Sequence, residues 1–188
     1  MKNWKKLQER FVYRGYRNII RKTFEMPDER VLDYDVFDSA SFVNIAAVTK
    51  ERKILLIKQY RPGPEKICLG FPAGYIDEDE TIVEAAQREL LEETGYTTNQ
   101  IYPVKTIQDA YSTIRQYCLI AINCEQVAQP KYDENEFLEM IEMTIGEFKE
   151  MLVDEKNTAF ESIGLGFLLL HYLIDAIILV LNSFFQLN

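Results

Sequence analysis

The stretch Gly74-Tyr75-Ile76-Asp77-Glu78-Asp79-Glu80-Thr81-Ile82-Val83-Glu84-Ala85-Ala86-Gln87-Arg88-Glu89-Leu90-Leu91-Glu92-Glu93-Thr94-Gly95-Tyr96 decides the reading of this chain. Thr81 and Glu84 have capping-box spacing: the hydroxyl accepts from the third helical amide and the glutamate reaches back. Val83, Ala86 and Leu90 fall three and four apart as a buried stripe, and Gly95 stops the helix in a left-handed conformation. Eight acids and one base, Arg88, lie within these 23 residues and account for seven of the nine net negative charges. Glu89, Glu92 and Glu93 project from one helix face, where like charges cost a few tenths of a kcal/mol per pair. A solvated acidic face is the plain alternative. These glutamates lie one turn from the Gly95 stop and beside buried Leu90, and convergent carboxylates are what Mg²⁺ or Mn²⁺ requires.

Working outward, residues 19–37 read as a strand, the turn Pro27-Asp28-Glu29-Arg30 and a returning strand. Phe42–Val48 and Lys53–Tyr60 read as antiparallel core strands joined by Lys50-Glu51-Arg52. Arg61-Pro62-Gly63-Pro64 breaks the ladder, since proline cannot donate to it. A short strand lies within 69–76 and ends at Gly74. Beyond Gly95, strands are expected at 103–109, 115–123 and 137–143. Thr144-Ile145-Gly146-Glu147 then repeats the capping box for a helix to Val153, and a third helix runs from 159 to 181. The succession is α+β: a mixed sheet flanked by helices, preceded by an antiparallel hairpin. Residues 1–40 read as an N-terminal extension and 41–188 as the main domain.

The 188 residues suit one domain, and 47% hydrophobic with 27% charged residues is too apolar for a disordered chain. A net charge of −9 argues against nonspecific nucleic-acid binding, which needs a basic face. Cys68, Cys118 and Cys124 are odd in number and form no CxxC pair, so they read as buried free thiols in a reducing cytoplasm. His171 is the only histidine, which excludes a His-rich zinc site. The basic N-terminus is followed by no uninterrupted apolar stretch, so no signal peptide is expected.

Gly74, Glu80, Arg88-Glu89-Leu90, Glu92-Glu93 and Gly95-Tyr96 resemble the Nudix box, G-x5-E-x7-R-E-U-x-E-E-x-G-U, with U a bulky aliphatic residue. Tyr96 in the last U place is the one departure and is similar to the branch cleaving ADP-ribose and nucleotide sugars. Lys58-Gln59-Tyr60-Arg61-Pro62, Phe71-Pro72-Ala73-Gly74 and the N-terminal hairpin resemble that branch too, extending the likeness over residues 10–173. The resemblance implies a Nudix fold, an α/β/α sandwich.

It also implies a site. Glu89, Glu93 and the Ala73 carbonyl match metal ligands, Glu92 completes the cluster, and Arg88 holds a glutamate in its coordinating rotamer; a surface ion pair with Glu84 or Glu92 is the plain alternative for Arg88. Glu80 reads as a structural partner of Arg88. Asp133-Glu134-Asn135-Glu136 resembles the segment supplying a further acid, which makes Glu136 a third ligand and Glu134 a candidate general base; an acidic surface loop is the alternative. Arg61 can grip a diphosphate with its fork. Tyr16 and Tyr34 fall where hairpin aromatics stack on a nucleotide base, or else are ordinary strand aromatics.

Two departures concern the sugar half: Asp109-Ala110-Tyr111-Ser112-Thr113 stands where Ser-Pro-Gly is common, and Gly70 stands where many relatives have Glu. Ile163–Leu181 is nearly continuous in apolar residues, but Asp175 in mid-span would cost about 3 kcal/mol in a membrane. It reads as a buried or dimer-interface helix, with His171 a core or interface histidine. The expectation is Mg²⁺-dependent hydrolysis (Mn²⁺ as substitute) of ADP-ribose or a related nucleoside diphosphate sugar by a cytoplasmic homodimer. The alternatives are a GDP-mannose or UDP-glucose hydrolase and a catalytically silent binding module.

Overall fold

The computed structural model describes residues 2–132, 137–154 and 159–185. The chain folds as two compact units, Met1–Phe42 with Thr106–Tyr117 and Val43–Lys105 with Cys118–Asn188.

The first unit holds a three-stranded antiparallel sheet of β1 (Lys5–Tyr13), β2 (Asn18–Glu25) and β3 (Val31–Asp38). The expected hairpin is β2–β3, turned where Met26 N–H donates to the Arg30 carbonyl (2.8 Å) and Glu29 takes φ 66°. The sequence reading missed β1. Every residue of that strand is exposed, so no buried face imposes alternation on Lys5-Lys6-Leu7-Gln8-Glu9-Arg10, and two register shifts break what remains. Trp4, Phe24 and Tyr34 form an aromatic cluster, and Tyr111 stacks on Tyr34 with centroids 6.4 Å apart. The Asp109–Thr113 stretch reaches β3 through Phe37, whose N–H donates to the Tyr111 carbonyl (2.9 Å).

The second unit is built on a mixed sheet in the order β11-β5-β4-β10-β8: β4 is Phe42–Thr49, β5 Lys53–Arg61, β8 Tyr96–Thr97, β10 Gln116–Gln126 and β11 Leu138–Thr144. Three further strands lie off that path: β6 (Lys66–Gly70) on β5, β7 (Ala73–Tyr75) on β4 and β9 (Ile101–Ile107) on β10. Near-continuous Val, Ile, Leu and Ala in β4, β5 and β10 mark strands buried on both faces; Ile45, Ile54, Leu55, Leu56 and Leu119 have no exposure. The single strand expected within 69–76 is two, because Pro72 cannot donate; its carbonyl instead accepts from Ile45 N–H at 2.9 Å.

Both capping boxes form, Thr81 with Glu84 on α1 (Ile82–Thr94) and Thr144 with Glu147 on α2 (Ile145–Val153). Gly95 closes α1 at φ 75°, its N–H donating to the Leu91 carbonyl (2.8 Å). Helix α3 spans Ile163–Phe185, later than expected. Phe160 instead forms an isolated parallel bridge with Leu69 of β6, in which Leu69 N–H donates to the Ala159 carbonyl (2.8 Å) and Glu161 N–H to the Leu69 carbonyl (2.9 Å), and Glu161–Ser162 turn into the helix. Leu165 and Leu169 of α3 are buried, and a Cβ on Gly166 would meet Leu152 and Phe148 of α2 at 2.9–3.2 Å. His171 is exposed, which excludes the core half of its reading as a core or interface histidine. Among the described residues no helix is long and apolar enough to cross a membrane.

Candidate active site

The β7–α1 element gathers the acidic helix face onto two consecutive backbone residues. Glu93, 8% exposed, accepts from Ala73 N–H at 3.0 Å through Oε2. The Glu89 carboxylate lies against Gly74 so closely that a Cβ there would sit 2.0 Å from its Cδ and Oε1. Glycine at 74 is therefore a requirement of close approach. Two carboxylates one helical turn apart thus converge on Ala73–Gly74.

One arginine orders the remaining acids. Arg88 donates through Nε and Nη2 to the two oxygens of Glu80 (2.7 and 2.8 Å), a fork-on-fork pair. Nη2 also donates to the Tyr75 carbonyl (2.9 Å), and Nη1 to Glu89 (2.6 Å) and Glu92 (3.2 Å). All five N–H donors are committed. The Glu80 contact holds the Arg88 guanidinium well above its ordinary pKa, and Arg88 in turn holds the Glu80 carboxyl below the usual carboxylate range. Glu80 and Glu89 are mostly buried around this fork, whereas the Glu92 side chain is 47% exposed.

The donor set suits a hard cation. Mg²⁺ keeps several waters and takes one or two carboxylates. Glu89, Glu93 and the Ala73 carbonyl offer such oxygens without sulfur or imidazole, and the bare Gly74 Cα leaves room for them. Among the described residues, no group of three or more His, Cys, Asp or Glu is disposed to hold a metal. Glu134 and Glu136, expected to enlarge the set, lie outside the described residues.

The other named residues separate by environment. Tyr96 is buried, with its hydroxyl donating to Glu142 at 2.5 Å; burial first and that carboxylate second push its pKa up to about 12. Arg61 ends β5 and is held by Glu161, to both of whose oxygens Nε donates at 2.9 Å, with Nη2 in an ion pair 2.7 Å from Oε2. In the first unit, Tyr16 is 89% exposed in the β1–β2 connection and Tyr34 is half-buried in its aromatic cluster. Cys68, Cys118 and Cys124 are buried free thiols, and burial raises the last two to about 11 and about 12. Glu161, Glu142 and Tyr111 were not singled out from sequence as partners of these groups. Glu161 stands 100 residues from Arg61, and no local pattern carries such a pairing.

The NUDIX domain matches residues 40–162. An ADP-ribose pyrophosphatase of Saccharomyces cerevisiae is 36% identical over 111 residues, 55% of this chain and 48% of that protein, so the match spans about half of the yeast relative. An ADP-ribose pyrophosphatase of Bacillus subtilis is 30% identical over 124 residues, 64% of this chain and 67% of that one. A crystal structure of an ADP compounds hydrolase shares the fold with a TM-score of 0.81, at 23% identity over 94% of this chain and 97% of the other. With the box residues gathered on β7 and α1 as described, the chain belongs to the NUDIX domain family.

Proposed function

We propose that this protein is a metal-dependent pyrophosphohydrolase acting on a nucleoside diphosphate linked to a sugar, with ADP-ribose, cleaved to AMP and ribose 5-phosphate, as the leading substrate. The observation that carries this reading is the convergence of Glu89 and Glu93 on Ala73–Gly74. Those two carboxylates and the Ala73 carbonyl would hold Mg²⁺, or Mn²⁺ in its place. Bound there, a divalent ion supplies an activated water and neutralises charge on the phosphoanhydride. The names of the yeast and Bacillus relatives support the substrate class.

The chain's own groups divide the remaining work. Arg88 fixes Glu89 and Glu92 relative to each other while Glu80 anchors Arg88 itself. Arg61 binds the diphosphate through its fork. Glu134 takes the proton of the attacking water, Glu136 adds a further metal ligand, and Glu92 completes the carboxylate set. Tyr16 and Tyr34 stack on the nucleotide base. The first forty residues form the N-terminal extension that makes these base contacts and the contacts of a homodimer, and the protein works in the cytoplasm.

A turnover panel of nucleotide sugars and free nucleotides, with Mg²⁺ and with chelator, tests the reading. ADP-ribose is expected to be hydrolysed only with the metal, and faster than free triphosphates. Preference for GDP-mannose or UDP-glucose would reassign the substrate. Absence of metal-dependent turnover across the panel would refute the hydrolase and leave a binding module.

A further inference from the structure

We propose that Glu161, carried on the segment leading into α3, is the positioning residue that aims Arg61 at the substrate diphosphate, so that the C-terminal helix is tied to substrate binding. The proposal deepens the reading above and rests on Arg61 binding that diphosphate. A guanidinium has two edges that can make paired hydrogen bonds: Nε with Nη2, and Nη1 with Nη2. Glu161 occupies the first, with Nε 2.9 Å from both carboxylate oxygens and Nη2 2.7 Å from Oε2. Nη1 has no hydrogen-bond partner among the described residues. The side-on grip fixes the plane of the fork and leaves the end-on edge for a second anion.

The backbone around Glu161 is arranged for this. Phe160 bridges to Leu69 of β6, and the two hydrogen bonds of that bridge, from Leu69 N–H and from Glu161 N–H, pin the residues on either side of it. The next residue, Ser162, accepts a buried hydrogen bond from Asn44 Nδ2 at 2.7 Å, fastening the start of α3 to β4. Gly70 makes the room: a Cβ there would lie 3.4 Å from Glu161 Oε2, so a longer side chain would contest the space the carboxylate fills. Gly70 itself stands three residues before Ala73, so the Arg61–Glu161 pair sits over the strand end that leads into the carboxylate site. Stability does not account for the pair. The two side chains are 40% and 35% exposed, and ion pairs that wet contribute little to folding.

The test is a double-variant cycle on the full chain with ADP-ribose and Mg²⁺. Glu161→Ala is expected to raise KM about tenfold while kcat changes less than about twofold, the signature of lost ground-state and transition-state binding in equal measure. Glu161→Gln, which keeps one acceptor, should fall between, and it serves in place of the alanine variant should that one not fold. Arg61→Ala should raise KM at least as much, and Arg61→Ala/Glu161→Ala no more than Arg61→Ala alone. An unchanged KM in Glu161→Ala, beside a raised KM in Arg61→Ala, overturns the positioning role and leaves the function intact. Additive effects overturn it as well, because Glu161 would then act independently. An unchanged KM in Arg61→Ala removes Arg61 from binding, and the proposal falls with that assignment.

Discussion

The β7–α1 element and the N-terminal sheet both carry dense charge, and they handle it in opposite ways. In the sheet, Lys5–Glu25 and Arg21–Asp35 pair across strands and Lys6–Glu9 along exposed β1. Such pairs are worth about 0–1 kcal/mol each because water screens them. In the β7–α1 element, one guanidinium spends all five donors on three glutamates and a carbonyl, and two carboxylates are pressed onto backbone. Formal charge alone therefore does not mark a site. What marks it is charge gathered at a cost, where three carboxylates share one base, a fourth is held by a backbone N–H, and a missing side chain at Gly74 lets Glu89 close in.

The sharpest way to break this comparison is Gly74→Ala. The new Cβ would collide with the Glu89 carboxylate, the movable end of a side chain, so Glu89 must turn away while the fold persists. Turnover is expected to fall about 100-fold with under about 1 kcal/mol lost in stability, since on the proposed function Glu89 holds the metal and displacing it removes several kcal/mol of charge stabilisation. Comparable losses of both would show that Gly74 serves packing. Gly95→Ala should give the reverse. At φ 75° a Cβ costs about 1–2 kcal/mol and would also meet the Ala128 carbonyl oxygen at 2.2 Å, which is backbone and cannot swing aside. A fall in melting temperature of at least about 4 °C is expected, with kcat per folded molecule little changed.

Arg88→Lys sharpens the comparison further. A point charge cannot replace the fork, and turnover should drop about tenfold, as is typical when a group that orients metal ligands is altered. Its pH signature follows from Glu80. Arg88 depresses the Glu80 pKa in the folded state, so this contribution to stability is complete above the ordinary value of 4.5 and is lost as pH falls through the lower folded value. The stability gap between wild type and Arg88→Lys should thus narrow below pH 4.5; a gap constant from pH 7 to pH 3 would contradict it. The smallest effect is expected in the sheet, where Lys5→Ala should move stability by no more than about 0.5 kcal/mol in urea unfolding.

The same contrast explains what the sequence could carry. Thr81, Glu84, Arg88, Glu89, Glu93 and Gly95 were legible because a capping box, a helix face and a left-handed stop are relations among residues within one or two turns. Strand β1 was not, since its identity comes from pairing with β2 and no buried face imposes a period on it. The start of α3 was misplaced because residues 159–162 are helix-compatible, and the bridge of Phe160 to Leu69 that delays the helix is a long-range contact. Arg61 was placed correctly at the end of β5, but its partner Glu161 was not legible, because fixing that contact requires β6 and the C-terminal segment to be folded together.

The proposed hydrolysis requires Glu89 and Glu93 to act as oxygen donors to a divalent ion. Mn²⁺ titration followed by electron paramagnetic resonance, on wild type and Glu93→Gln in the presence of ADP-ribose, measures that property without relying on turnover. Saturable Mn²⁺ uptake by the wild type, weakened at least about tenfold in a folded Glu93→Gln variant, is the expected result. Equal uptake by the two proteins, or none by either, would contradict it.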